Sequence, residues 1–255
     1  MGWLDLPRAP EPEVMDDSEE VEAYASAAAQ AYLEKIDDTL VEHAVRLVAG
    51  RAAGRALDVG TGPGQIVWKL ARRLPGWQFI GVDRSANMIR EAHAGAVRGS
   101  ELQLRQLQEG KGGALAPVAR PQFFVADGNR LPFPDAGFEL VTCNSVLHHL
   151  AQPQLLFAEV ARLVHPTGAI LIRDLRRPSR LAYPLHVRWY GRHYSGVMYK
   201  LYCASVRAAY TVAELEEILR ASPLVGARPG PAAAGPGARV FTHRRTHLGL
   251  ERPVG

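Results

Sequence analysis

Asp58-Val59-Gly60-Thr61-Gly62-Pro63-Gly64 ends a short apolar run and opens a helix-forming stretch. Glycines at such a junction let the backbone turn tightly and let a ligand approach the main chain. A dinucleotide site wants G-x-G-x-x-G, with pyrophosphate on the helix N-terminus. Here the third glycine comes one residue early, and Pro63 removes a backbone donor that a phosphate would use. The turn is shaped for a ligand without phosphates, against the alternative of a plain glycine-rich turn. Asp83 ends the next apolar run, where a carboxylate can accept both hydroxyls of a ribose. It is also placed to cap a helix, although Ser85 is available for that. Asp127-Gly128-Asn129 offers an acid and an amide that can read an adenine edge. Asn144, within Cys143-Asn144-Ser145, stands at the end of a later run, near the ligand's reactive end.

Proton transfer would fall to His148, His149 or Asp174, with His193 or Tyr194 as further candidates. One of the adjacent histidines also suits a structural role at a strand–helix junction, and Asp174 suits an ion pair with Arg176 or Arg177. A metal is not expected: no Cys or His pair has ligand spacing backed by a second pair, and adjacent His148 and His149 would face different ways. No serine sits in a G-x-S-x-G elbow, which argues against acyl-transfer chemistry.

The elements that must position these groups alternate. Strands are predicted at 56–60, 78–83, 122–127, 138–144 and 169–175, with helices after the glycine turn, after Ser85 and from Pro153 to Val164. Pro153 suits a first helical turn, and His165-Pro166-Thr167-Gly168 closes that helix. This rhythm predicts an α/β fold, an open and mostly parallel sheet with helices on both faces. One or two helices are predicted between Val21 and Val48, and another from Thr211 to Ala221. ARVFTH (238–243) suits a last strand, with a further short one near Leu224. Residues 95–121 are an insertion, partly helical at LQLRQLQ. Residues 1–20 are expected to be poorly ordered, 21–245 to form one domain, and 246–255 to be a loose tail.

ALDVGTGPG, FIGVDRS, VADGNRLPFPDAGFELVTCNSVLHHL and RLVHPTGAILIRDL, in this order, resemble the successive motifs of class I S-adenosylmethionine-dependent methyltransferases. They are most similar to the group that includes the ubiquinone/menaquinone type. The likeness covers about Ala56 to Leu175. It implies a Rossmann-like, seven-stranded sheet and S-adenosylmethionine as cofactor. By the resemblance, Gly60, Thr61, Gly62 and Gly64 would line the methionine and ribose part, and Asp58 would shape the loop or meet the amino group. Asp83 would hold the ribose hydroxyls, and Arg84 and Met88 would flank the adenine. Asp127, Gly128 and Asn129 would meet the adenine edge, Asn144 the methionine end through its main chain. Tyr24 or Tyr32 could close the site. A small-molecule acceptor is expected. An RNA or protein methyltransferase, or a cofactor-binding regulator or assembly factor, is the alternative.

The chain has 255 residues, 47% hydrophobic, with a net charge of +4 and pI near 9.2. Its arginines are scattered rather than massed with aromatics, so a nucleic-acid partner is not expected. No apolar run approaches a membrane span, and two cysteines make no disulfide framework, which suits a cytoplasmic setting. Oligomeric state is not legible. Arg176 to Tyr210 is longer than a link needs and leaves the ligand-binding edge of the sheet. Rich in Tyr, Arg and His, it is expected to cap the site and read the acceptor.

Overall fold

The computed structural model describes residues 3–11, 17, 19–22, 31–95, 120–225 and 237–255. Seven strands form one open sheet: β1 (Gly54–Val59), β2 (Trp77–Asp83), β3 (Gln122–Val125), β4 (Phe138–Asn144), β5 (Val164–Leu175), β6 (Arg239–His243) and β7 (His247–Arg252). Their order is β3-β2-β1-β4-β5-β7-β6. All neighbouring pairs from β3 to β5 are parallel, and β7 runs antiparallel to both β5 and β6.

Side chains alternate across the sheet and divide the core in two. Ala56, Leu140, Ala169 and Leu171 face one side, where they meet Leu40, Val41 and Ala44 of α1 (Ala31–Leu47) and Val67 and Leu70 of α2 (Gln65–Arg73). Ile89 and Ala92, in the helical stretch α3 (86–95), join that side. Leu57, Val141, Ile170 and Ile172 face the other, against Leu156, Phe157 and Val160 of α4 (Pro153–Leu163). The expected helices on both faces are therefore present. Among the described residues no helix is long and apolar enough to cross a membrane.

The excursion after β5 leaves and returns at one point. Arg176 and Tyr210 form an isolated parallel bridge, and Arg177 N–H donates to the Tyr210 carbonyl (3.0 Å). Between them lie α5 (Tyr183–Tyr190), a 3-10 turn over Gly191–His193, and α6 (Gly196–Ala208). α7 (Val212–Arg220) follows, started by a capping box between Thr211 and Glu214.

Four expectations are corrected. The tail is not loose: Leu248 and Leu250 are buried in the core, and β7 sits inside the sheet between β5 and β6. Gly249 leaves room for the Phe241 ring, which would lie 2.8 Å from an added Cβ. Described residues of the first twenty are also held. Arg180 N–H donates to the Leu4 carbonyl, and Ala9 N–H to that of Arg207. Residues 3–11 of this strap make no helix or strand of their own and borrow hydrogen-bond partners from their neighbours, which composition does not reveal. β5 begins at Val164 rather than Ala169, and its pairing with β4 shifts register between Phe138 and Leu140. Leu224 lies in a turn, not a strand, and is buried. The LQLRQLQ helix falls outside the described residues.

Candidate cofactor and acceptor site

The glycine turn joins β1 to α2 with Gly60, Gly62 and Gly64 at φ of +71°, +52° and +81°, in the left-handed region that glycine tolerates. At Gly60 a Cβ would also lie 2.2 Å from Val146 Cγ2. Gly60 and Thr61 N–H donate to the Val82 carbonyl, Gly64 N–H to the Thr61 carbonyl, and Gly62 N–H to Asp83 Oδ2 (2.8 Å). Pro63 has none to give. No backbone donor of this turn is left for a phosphate.

A cavity of about 240 Å³ opens over the carboxyl ends of the strands. Gly60, Thr61, Gly62, Asp83, Arg84, Met88, Asp127, Gly128, Asn129 and Asn144 line it, all from the sequence-derived set. Gly64 lies behind as the N-cap of α2. Asp58 is buried beneath the turn and accepts a 2.6 Å hydrogen bond from Thr142 Oγ1. Burial pushes its carboxyl up to about 6. It supports the turn from below, outside the cavity wall. Asp83 also accepts from Ser85 N–H (2.9 Å), which fixes the carboxylate at the wall. Asp127 Oδ1 accepts from Asn129 N–H (3.0 Å) at the rim.

Sequence reasoning missed Asp37 and Arg173. Asp37 of α1 faces the cavity, and burial raises its carboxyl to about 6 although the Arg173 charge opposes the shift. Arg173 is buried in β5; its Nε donates to Asn144 Oδ1 (2.9 Å), and its Nη1 to the Ile36 carbonyl and Thr39 Oγ1. This arginine ties α1 to the end of β4. Helical periodicity marked the apolar face of α1 and gave no sign that Asp37 looks inward. Tyr24 lies outside the described residues.

His148 and His149 line the cavity; Asp174 stands behind them. Asp174 is buried, with Oδ1 2.7 Å from His148 Nδ1 and Oδ2 accepting the His148 backbone N–H (3.0 Å). Burial alone would lower the His148 pKa, but the Asp174 charge and hydrogen bond outweigh it and hold it above the usual value. The converse holds Asp174 below the carboxylate range despite its own burial. Asp174 is thus committed to His148 rather than to Arg176 or Arg177. Arg177 instead reaches Glu214 and the Ala209 carbonyl.

The strap adds a residue that sequence spacing gave no means to find. Arg8 donates to the carbonyls of His148 (2.8 Å), Leu150 (3.1 Å) and Ala208 (2.6 Å), and its guanidinium lies 4.3 Å from the Tyr210 ring centroid. Three residues on, Glu11 Oε2 stands 3.5 Å from His148 Nε2 and 3.6 Å from His149 Nδ1.

The cap closes the far side of the cavity. Tyr190, Tyr194, Met198, Leu201 and Tyr202 line it. Elsewhere in the cap Trp189 is 58% exposed, and neither His186 nor His193, a candidate for proton transfer, is in the wall.

Residues 57–172 match the model of a methyltransferase domain family. Over those residues the chain is similar to methyltransferase domains, and the sheet order and the glycine turn are those of a Rossmann-like fold. It is 29% identical over 148 residues to a demethylmenaquinone methyltransferase of Thermus thermophilus, covering 58% of this chain and 59% of that one. It is 32% identical over 143 residues to the ubiquinone/menaquinone biosynthesis C-methyltransferase UbiE of Desulfotalea psychrophila, covering 55% and 49%. The chain spans about half the length of the curated relatives it matches. A solved Methanococcus maripaludis structure, assigned as an S-adenosyl-L-methionine-dependent methyltransferase, shares the fold over 97% of this chain and 98% of its own, at TM-score 0.65 and 13% identity.

Proposed function

We propose that this protein transfers the methyl group of S-adenosylmethionine to a small-molecule acceptor held between the sheet and the α5–α6 cap. One observation carries this reading: a single cavity is lined both by the glycine turn and Asp83 and by the tyrosines of the cap. The donor set suits the cofactor. Asp37, Asp83 and Asp127 put three carboxylates on the wall, which favours an ammonium, a sulfonium and sugar hydroxyls and repels phosphates. Asp83 would hold the ribose, Arg84 and Met88 the adenine faces, and Asp127 to Asn129 the adenine edge. Asp37 and Asn144 would meet the methionine end.

S-adenosylmethionine supplies a methyl group already activated on a sulfonium. The chain's own task is to align the acceptor and exclude water. Tyr190, Tyr194 and Tyr202 present flat faces with polar tips, suited to a ring-bearing acceptor. The names of the two relatives agree with a quinone-type ring. His148, held at Nδ1 by Asp174, lines the same cavity.

Calorimetry with S-adenosylhomocysteine and with NAD tests the cofactor half; tighter binding of NAD would sink it. Incubation with labelled methyl donor and hydroxylated aromatic acceptors tests the other half. Cofactor binding without transfer to any small molecule would favour a regulatory or assembly role, and labelling of RNA or protein would move the acceptor class.

A further inference from the structure

We propose that Glu11, His148 and His149 form a binding site for a divalent transition-metal ion, with zinc as the best match. The three ligand atoms lie within 4.8 Å of one another. The distances from Glu11 Oε2 to His148 Nε2 and His149 Nδ1, 3.5 and 3.6 Å, are too long for hydrogen bonds. They match the edges of a coordination tetrahedron: ligands at zinc distances lie about 3.3–3.4 Å apart, whereas an octahedral pair would be about 2.9 Å apart. Two histidine nitrogens and one carboxylate oxygen are a donor set that zinc accepts.

The surroundings are those of a supported site. Asp174 holds His148 Nδ1 at 2.7 Å, which leaves Nε2 as the free ligand atom, the carboxylate–histidine–metal arrangement. Ser205 Oγ lies 3.2 and 3.3 Å from the two Glu11 oxygens. Arg8 pins the strap to three carbonyls and so fixes where Glu11 falls. Adjacent histidines that would face apart on a regular strand lie on the 3-10 turn Leu147–His149, with ring centroids 4.1 Å apart.

Both histidines line the cavity, so a fourth position opens toward the acceptor. Resting on the methyl-transfer reading, the ion's role is to hold an acceptor hydroxyl or thiol as its anion, the proton leaving to solvent. Ion binding itself does not depend on that reading.

The test uses the full chain stripped of metal with a chelator. Zn2+ is titrated in competition with a chromophoric chelator, and Co2+ is followed by its visible absorption. S-adenosylhomocysteine binding is measured alongside by calorimetry. One equivalent of Zn2+ binds, Co2+ gives the intense bands of a four-coordinate site, and zinc raises the melting temperature. Glu11→Gln and His149→Gln each weaken zinc at least tenfold, and Glu11→Gln leaves S-adenosylhomocysteine affinity unchanged. Asp174→Asn weakens it by about 10–100-fold. No stoichiometric zinc, or equal zinc affinity in Glu11→Gln and His149→Gln, overturns the site. Loss of S-adenosylhomocysteine binding in the parent chain would instead overturn the cofactor reading.

Discussion

Asp83 carries two loads. Its carboxylate already accepts from Gly62 and Ser85 N–H, so it shapes the glycine turn as well as facing the cavity. Asp83→Ala is expected to weaken S-adenosylhomocysteine by about 1.5–3 kcal/mol, the range for a hydrogen bond to a charged group, or roughly 10- to 150-fold. An unchanged dissociation constant in a folded variant would show that its work is confined to the turn. Asp37 makes a second expectation. With its carboxyl near 6, it is ionised at neutral pH and loses its charge as pH falls below that value. Affinity for a ligand bearing an ammonium therefore falls below about pH 6, and Asp37→Asn both weakens binding and flattens that part of the profile. A pH dependence identical in parent and variant would remove Asp37 from the methionine end.

At the scale of elements, the β4–β5 edge is held by His148 and Asp174, and its pH response has a definite sign. The His148 pKa is raised, so its contribution is complete below the free value of 6.5 and is lost as pH rises through the folded value. The Asp174 pKa is lowered, so its contribution is complete above 3.8 and is lost as pH falls through the folded value. Melting temperatures across pH should show the largest gap between parent and Asp174→Asn from about pH 4 to 6.5, narrowing on either side. A gap constant with pH would mean that the pair does not ionise as described. The cap has its own test. Tyr190→Ala with Tyr202→Ala should cut transfer to the acceptor while leaving S-adenosylhomocysteine affinity within about twofold, because neither residue belongs to the glycine-turn end of the cavity. Sequence made the parallel elements legible because each buried strand is an apolar run ended by a residue with chemistry: Asp58, Asp83, Asn144, Asp174. It failed where contacts rather than patterns decide. His165 to Gly168 contain Pro and Gly and suggest a turn, yet they extend β5, where Arg252 donates to the carbonyls of His165 and Gly168. Leu248-Gly249-Leu250 is too short an alternation to announce a strand buried between two others. Glu11 lies 137 positions from His148, and only the fold joins them.

For the molecule as a whole, β7 closes the arrangement: among the described residues it is the only bridge from β6 to the rest of the sheet. Removing residues 246–255 deletes the partner of both β5 and β6 and uncovers Leu171 and Ile172. The shortened chain should fail to melt cooperatively, seen by calorimetry; a sharp transition near the parent's would show that the tail is dispensable. The doorway at Arg176 and Tyr210 has a different consequence. Because the cap departs and rejoins at neighbouring backbone positions, the sheet needs nothing from it to stay continuous. Exchange of everything between those two residues changes one wall of the cavity and leaves the glycine turn, Asp83 and Asp127 in place. Such a chain separates two evolutionary problems. On the function proposed above, holding the methyl donor falls to the glycine turn, Asp83 and Asp127, while each new acceptor requires only a new insert with the same short span between its ends.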